Sequence, residues 1–283
     1  FLLTDSLEKV LPDRRPEELS TGVPVLLKNQ KWAFQLAYTC QNDDFGETSP
    51  TFCLRCTGTA RAALRLFPVE LVPCDYPCHG TWDDNYLTTR PGLLPDLLRP
   101  AEWDETFKAV PAQWRSLWLT LDASLLEPGC AAMELELVDP DGCQLAVFSL
   151  SVQILQQALP PQTLLQTQWF HADCLADYYR VPVFSEEHWR ILERFIRTAV
   201  KNGINMILTP IFTPELDTYI GGERTTTQLV RIRVTAPGQY AFDFSLLDRW
   251  IDLCLSCGVE YFEMAHLFSQ WGAAAAPKVV AEV

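Results

Sequence analysis

The first half of the chain alternates apolar and polar residues. In residues 31–39, Trp32, Phe34, Leu36 and Tyr38 fall on one side of an extended chain, as in a strand with one face on a core. Similar runs span residues 62–72, 114–121, 132–138 and 143–155. The turn sequences Glu127-Pro-Gly129 and Asp139-Pro-Asp-Gly142 separate the last three runs. Short strands at this spacing predict a β-sandwich over residues 1–158, and the Pro- and Gly-rich residues 75–102 predict a long surface loop.

The pattern changes to helical spacing after Leu159-Pro-Pro161. Strands are predicted at 166–170, 204–208 and 259–264, with one helix between Ser185 and Asn202-Gly203 and another over residues 245–258. The first helix is expected to turn one set of residues to the core, namely Trp189, Leu192, Phe195, Ile196, Ala199 and Val200. The order β-α-β-α-β predicts a parallel sheet in a second domain, residues 159–283.

A long loop, residues 209–243, follows the second predicted strand. Two extended runs, 228–234 and 239–244, flank Ala236-Pro-Gly238 and predict a hairpin insertion. In a (β/α)₈ barrel the loops after the strands form the active-site face, so an elaborated loop here indicates substrate recognition. An insertion without a function is the alternative.

The chain is acidic, with a net charge of −14 and a sequence pI near 4.7. This charge repels nucleic acid and anionic membrane surfaces, and no apolar run reaches the roughly 18 residues of a spanning helix. The nine tryptophans suit a neutral polar ligand such as a sugar. Ten cysteines in a chain of 283 residues are too sparse for a disulfide scaffold and predict reduced thiols in a cytoplasmic protein.

Two cysteine pairs leave a zinc site as a minor alternative. Cys53/Cys56 and Cys74/Cys78, with His79 beside the last, have spacings that can supply four ligands. The first pair lies in or beside a strand-like run, where positions i and i+3 point to opposite faces. We therefore expect thiols without metal, and no cofactor.

Between residues 164 and 278 the chain contains the short motifs Gln168-Trp-Phe-His-Ala-Asp-Cys174, Ser185-Glu-Glu-His-Trp189, Asn202-Gly-Ile-Asn-Met206, Leu208-Thr-Pro210, Gly221-Gly-Glu-Arg-Thr225, Phe244-Ser-Leu-Leu-Asp-Arg-Trp250 and His266-Leu-Phe-Ser-Gln-Trp-Gly272. Together these motifs resemble the bacterial DUF4091 family, which is similar to glycoside hydrolase family 123, the β-N-acetylgalactosaminidases. Asp5-Ser-Leu-Glu-Lys-Val10 and Pro91-Gly-Leu-Leu-Pro-Asp96 resemble the sandwich domain in front of the family's barrel.

The resemblance implies a multidomain β plus α/β fold, a β-sandwich followed by the first three βα units of a (β/α)₈ TIM barrel. It also implies retaining hydrolysis of a β-linked N-acetylhexosamine, with N-acetylgalactosamine favoured, in which the substrate's own acetamido group attacks the anomeric carbon. The family's adjacent Asp-Glu pair ends a later barrel strand. Here the only adjacent pair is Asp104-Glu105, in the first domain. We expect the catalytic pair beyond Val283, and this chain alone to be inactive.

The predicted strand ends supply the candidate substrate-binding residues. They are Trp169, His171, Asp173 and Tyr178 after strand one, Thr209, Glu223 and Arg224 after strand two, and Glu263, His266, Gln270 and Trp271 after strand three. A structural His171–Asp173 pair and a loop-internal Glu223–Arg224 ion pair are the alternatives.

Two other functions compete with the hydrolase. A carbohydrate-binding or assembly module would use the sandwich, with Trp82, Tyr76 and Tyr86 as an aromatic platform. A metal-dependent hydrolase would use His171, Asp173 and His266 as ligands. Either way, three parallel strands leave an open barrel edge, which predicts self-association.

Overall fold

The structure is a computed structural model that describes residues 1–20, 22–41, 49–78, 80, 85–214, 222–268 and 276–283. Trp82, Gly221, Gln270 and Trp271, named among the sequence motifs and candidates, and His79 of the zinc alternative lie outside these residues. The protein is mostly β, with a few helices. It divides into two compact units, Phe1–Pro160 and Pro161–Val283.

The first unit contains two five-stranded sheets. Its strands are β1 (Leu2–Asp5), β2 (Val25–Leu26), β3 (Lys31–Tyr38), β4 (Thr51–Thr57), β5 (Leu64–Cys74), β6 (Gly92–Leu98), β7 (Thr106–Lys108), β8 (Arg115–Asp122), β9 (Gly129–Val138) and β10 (Gln144–Ile154). The sheet orders are β1-β3-β8-β5-β6 and β2-β10-β9-β4-β7. All neighbouring pairs are antiparallel except β2 and β10.

One apolar core lies between these two sheets. Phe34, Leu36 and Leu119 enter it from the first sheet, and Leu54 and Leu135 enter it from the second, all five with no exposed surface. Alternate residues of each strand therefore face inward, as the period-two pattern predicts. The five runs predicted as strands correspond to β3, β5, β8, β9 and β10.

The predicted long loop over residues 75–102 is wrong in its last third, where β6 pairs with β5. Its sequence, Gly92-Leu-Leu-Pro-Asp-Leu-Leu98, lacks alternation because β6 is an edge strand, where a proline is tolerated and most side chains are exposed. The sequence left a helix start or a loop open for Asp104-Glu105, and the structure shows a loop. Asp104 lies in a turn before β7, and the Glu105 carboxylate binds the Arg99 guanidinium.

The second unit is built on a parallel sheet with helices. Its elements are β11 (Thr167–Gln168), α1 (Ala172–Tyr179), α2 (Glu186–Lys201), β12 (Met206–Thr209), β13 (Arg231–Ala236), β14 (Gln239–Asp243), α3 (Ser245–Cys257), β15 (Tyr261–Met264) and β16 (Ala281–Glu282). The order β11-β12-β15 is parallel throughout, which confirms the parallel arrangement of the three predicted strands. Closure of this sheet into a barrel stays a prediction.

The two predicted helices begin and end where their capping residues indicate. The Ser185 hydroxyl accepts a hydrogen bond from the His188 N–H at the start of α2. Gly258 adopts φ 98° after α3, a conformation that favours glycine. Phe195 of α2 was expected to face the core but is 41% exposed, whereas His188, which was not expected in the core, is buried.

The helix α1 was not predicted. Its eight residues carry little apolar pattern, and only Ala172, Asp173 and Ala176 are buried. His171, Asp173 and Tyr178, expected in a loop, therefore lie at the start of this helix or within it. Only the four-residue spacing of Ala172 and Ala176, which places both on one side of a helix, could have indicated α1 from the sequence.

The predicted hairpin is present as antiparallel β13 and β14, and β16 adds to β13 in parallel. Pro237 and Gly238 form its two-residue turn, with Gly238 at φ 73°. Within the described part of the chain, none of the helices is long and apolar enough to cross a membrane.

Candidate functional site

The parallel sheet presents two different faces. Ile207 of β12 and Phe262 of β15 pack with the helices, in the same core as Trp189 and Trp250. Successive side chains of a strand point to opposite faces, so Leu208 and Glu263, which pair in register, point away from the helices. In a barrel this second face would be the interior.

The Glu263 carboxylate accepts hydrogen bonds from two other side chains on the second face. Its Oε2 accepts a hydrogen bond from the Thr167 hydroxyl at 2.6 Å, and its Oε1 accepts one from the Trp169 indole N–H at 3.3 Å. Thr167 and Trp169 belong to the first strand and its end, whereas Glu263 belongs to the third. The carboxylate therefore joins the two outer strands of the sheet.

His266 completes this group, which we call the Glu263 cluster (Thr167, Trp169, Glu263 and His266). Its Nε2 lies 3.5 Å from Glu263 Oε1, and its ring packs edge-on against Trp169 at 5.6 Å between centroids. Trp169 is 43% exposed and the Glu263 side chain 24%. An accessible carboxylate beside an accessible indole can accept hydrogen bonds from hydroxyl groups while the indole contacts an apolar surface.

Asp173 and Arg224 form a second group. Arg224 Nε donates to Asp173 Oδ2 at 2.7 Å, and the two side chains are only 15% and 5% exposed. Burial lowers the pKa of Arg224, but Asp173 and Cys174 outweigh it, so the pKa of the guanidinium is raised overall. Arg224 also donates to Cys174 Sγ at 3.1 Å. These side chains are largely occupied by one another.

The remaining candidates are more scattered. Thr209 is fully buried, and its hydroxyl donates to the Ile207 carbonyl at 3.4 Å, so it offers no accessible group. Tyr178 is 78% exposed on α1, with its ring against Tyr179. His171 is half-buried at the N-terminal cap of α1. Glu223 is exposed and binds Lys278 at 2.8 Å.

Two interpretations made from the sequence are wrong. The Glu223–Arg224 turn is not a loop-internal ion pair, because Arg224 binds Asp173 and Glu223 binds Lys278. His171, Asp173 and His266 are all described, and they do not form a group that could hold a metal ion. Among the described residues no other such group of His, Cys, Asp or Glu occurs.

Thr167 and Tyr261 also lie on the second face, although the sequence pattern did not single them out. Thr167 lies two residues before Trp169, and Tyr261 lies two residues before Glu263, so period two places both on the second face. Tyr261 is 44% exposed. Their two-residue spacing from Trp169 and Glu263 could have identified them. However, β11 and β15 are only two and four residues long, so neither strand shows a clear alternation of apolar and polar residues.

Comparison with known proteins gives a match to a family model over part of the chain and a solved structure with a shared fold. Residues 169–282 match the family model of the glycoside hydrolase 123 catalytic domain. Comparison with curated protein sequences gives no match. Among solved structures, a family 123 glycoside hydrolase from Clostridium perfringens, studied for the details of glycolipid glycan hydrolysis, has TM-score 0.69 and 15% identity.

The alignment to the Clostridium enzyme covers 92% of this chain but 45% of that one, so this chain spans less than half of its length. At this identity the likeness shows a shared fold. The N-terminal domain of PorA also aligns, with 9% identity over 56% of this chain and 98% of that chain. Its TM-score of 0.23 supports no conclusion.

Proposed function

We propose that this chain is part of a glycoside hydrolase similar to family 123 and to the DUF4091 family, and that it supplies the part of the site that holds the sugar. The Glu263 cluster is the observation that carries the proposal. The family-model match begins at Trp169 and includes Glu263 and His266. The fold shared with the Clostridium enzyme agrees with this assignment.

The chemistry of the cluster fits a neutral sugar. Thr167 and Trp169 hold the Glu263 carboxylate at two points, so it is oriented before a ligand arrives. An ionised carboxylate accepts hydrogen bonds only, which suits sugar hydroxyl groups or the N–H of an acetamido group. The exposed indole of Trp169 offers a stacking surface for the apolar face of a pyranose.

The substrate class that we propose is a β-linked N-acetylhexosamine, with N-acetylgalactosamine favoured, as the family resemblance implies. Hydrolysis would proceed with retention and with the substrate's acetamido oxygen as nucleophile. The Glu263 cluster would bind and orient the sugar. The acid and the orienting carboxylate would come from an Asp-Glu pair, and none of the strands within the described residues ends in one.

The test is titration of the 283-residue chain with N-acetylgalactosamine, followed by calorimetry or by NMR of the tryptophan indole N–H groups. We expect weak, saturable binding that Glu263→Gln and Trp169→Ala each reduce by about tenfold or more. Glu187→Gln, an exposed carboxylate on α2, is the matched control and should leave affinity unchanged. Equal affinity in the Glu263 and Trp169 variants would refute this placement of the sugar site.

Turnover is a separate test. The purified chain should not hydrolyse an aryl β-N-acetylgalactosaminide, whereas a longer protein that adds an Asp-Glu strand end should. Hydrolysis of this substrate by the purified 283-residue chain would contradict the assignment of roles.

The sandwich is a second candidate for sugar binding. A groove of about 710 Å³ beside β6 is lined by Tyr86, Arg14, Arg90 and their neighbours. Tyr86 is 43% exposed and Tyr76 68%. If Tyr86→Ala lowers the affinity for the sugar and Glu263→Gln does not, the sandwich is the binding module.

A further inference from the structure

The segment of residues 223–230, which we call the bridging segment, contacts the chain that follows each of the three parallel strands. On one side it reaches α1, which follows β11. Arg224 holds Asp173 and Cys174, and the Thr225 hydroxyl lies 2.9 Å from both carboxylate oxygens of Asp177. Contacts with two successive turns of α1 thus fix the first residues of the bridging segment to this helix.

The bridging segment is also bonded to the end of β12. Leu229 N–H donates to the Pro210 carbonyl at 2.9 Å, and Val230 N–H donates to the Ile211 carbonyl at 3.2 Å. Thr227 N–H donates to the Thr213 hydroxyl at 3.1 Å, and both threonines are buried. These are mostly backbone bonds, so they depend little on side-chain identity.

A third set of contacts reaches residues 278–280, in the chain that follows β15. The Gln228 side chain donates to the Val280 carbonyl and accepts from the Val280 N–H, both at 2.8 Å. Lys278 binds Glu223 nearby, but this ion pair is exposed and contributes little by itself. The bridging segment therefore connects the regions that follow all three strand ends.

We infer that Arg224 is a positioning residue that, through the bridging segment, holds the three strand-end regions around the Glu263 cluster. This inference rests on the proposed function. From the sequence, Arg224 is expected to be one of the residues that bind substrate. The structure favours positioning, because the guanidinium is 15% exposed and engaged by Asp173 and Cys174 together. A sugar site needs its side chains held to about half an ångström, so loss of this connection should weaken binding without direct contact.

Arg224→Lys tests the inference because it keeps the charge and loses the two-sided contact. We expect its melting temperature to stay close to that of the wild type. Its affinity for N-acetylgalactosamine should fall by about tenfold, and the Trp169 indole N–H resonance, assigned with Trp169→Phe, should shift. Arg197→Lys on α2, whose partner Glu193 is one turn away, is the matched control and should change neither.

Hydrogen exchange tests the connection without a sugar. Arg224→Met should increase exchange in α1 and in residues 278–280 together and leave α2 unchanged. Increased exchange at residues 222–228 alone would overturn the inference. If the wild type binds no N-acetylgalactosamine, the proposed function fails. Hydrogen exchange and the position of the Trp169 indole resonance then still test whether Arg224 positions these regions, because neither measurement needs a sugar. An unshifted resonance in both Arg224 variants would refute positioning.

Discussion

The hydroxyl of Thr167 donates a hydrogen bond to Glu263 at 2.6 Å, and this bond joins the first and third strands of the parallel sheet over the strand between them. Neighbouring strands lie about 4.8 Å apart, so two side chains two strands apart meet most easily on a concave face. The bond therefore indicates that the sheet curves toward the face that carries Trp169. Such curvature is what the interior of a barrel requires.

A double-mutant cycle on Thr167→Val and Glu263→Gln measures this bond. We expect a coupling free energy of about 1 kcal/mol, because one partner is charged but both remain in contact with solvent. Denaturant unfolding of the wild type, both single variants and the double variant gives the value. Additive effects would show that the two side chains do not depend on each other.

The buried His188 ring should make the free energy of unfolding depend on pH. Its Nδ1 accepts from the Phe184 N–H and its Nε2 donates to the Ala172 carbonyl, both at 3.0 Å, so the neutral ring fits and a second proton has no acceptor. Burial lowers the pKa of His188 below 6.5, although the bond to Ala172 opposes this. The unfolded chain then binds the proton more readily. The contribution of His188 to the free energy of unfolding is therefore fully present above pH 6.5 and is lost as the pH falls through the pKa of the folded state.

The expected loss from His188 is at most about 1.4 kcal/mol per pH unit in this window. His188→Gln should flatten the dependence of unfolding free energy between pH 7.5 and pH 5. Thr198→Ser, at an exposed position of α2 without a titratable side chain, is the control and should keep the wild-type dependence. Equal slopes in wild type and His188→Gln would mean that another group titrates.

Truncation of a single leucine in the sandwich core should strongly lower the free energy of unfolding. Leu119 of β8 is fully buried between the two sheets, so Leu119→Ala should lower the free energy of unfolding by about 2–5 kcal/mol. Leu125→Ala, at a leucine that is 58% exposed, should change it by less than about 0.5 kcal/mol. Chemical denaturation of the three proteins tests this. Equal midpoints for both variants would contradict the burial of Leu119.

The sequence predicted the parts of the fold that have a long pattern. β3 shows period two over eight residues, and α2 combines helical spacing with Ser185 at its start, so both were found. β6 was missed because an edge strand has no buried face to impose alternation. Phe195 was misplaced because helical spacing defines an apolar stripe but not how far the neighbouring elements cover it.

The candidate site was predictable only in part, for a related reason. Glu263, Trp169 and His266 could be selected because strand ends of a parallel sheet share one edge. Their contacts depend on the curvature of the sheet, which no local pattern encodes. The Asp173–Arg224 pair joins residues 51 positions apart, so each partner was identified while the pairing was not.

The open face of the parallel sheet predicts self-association. Among the described residues, β11 and β15 are the two edges of this sheet, and Trp169 and Tyr261 are 43% and 44% exposed on its second face. Exposed aromatic side chains beside unpaired strand edges favour pairing with another chain. We expect the average mass from sedimentation to rise with concentration, and Tyr261→Lys to reduce that rise. Tyr178→Lys, at an exposed tyrosine on α1, is the matched control and should not. A mass that stays monomeric at every concentration would contradict the prediction.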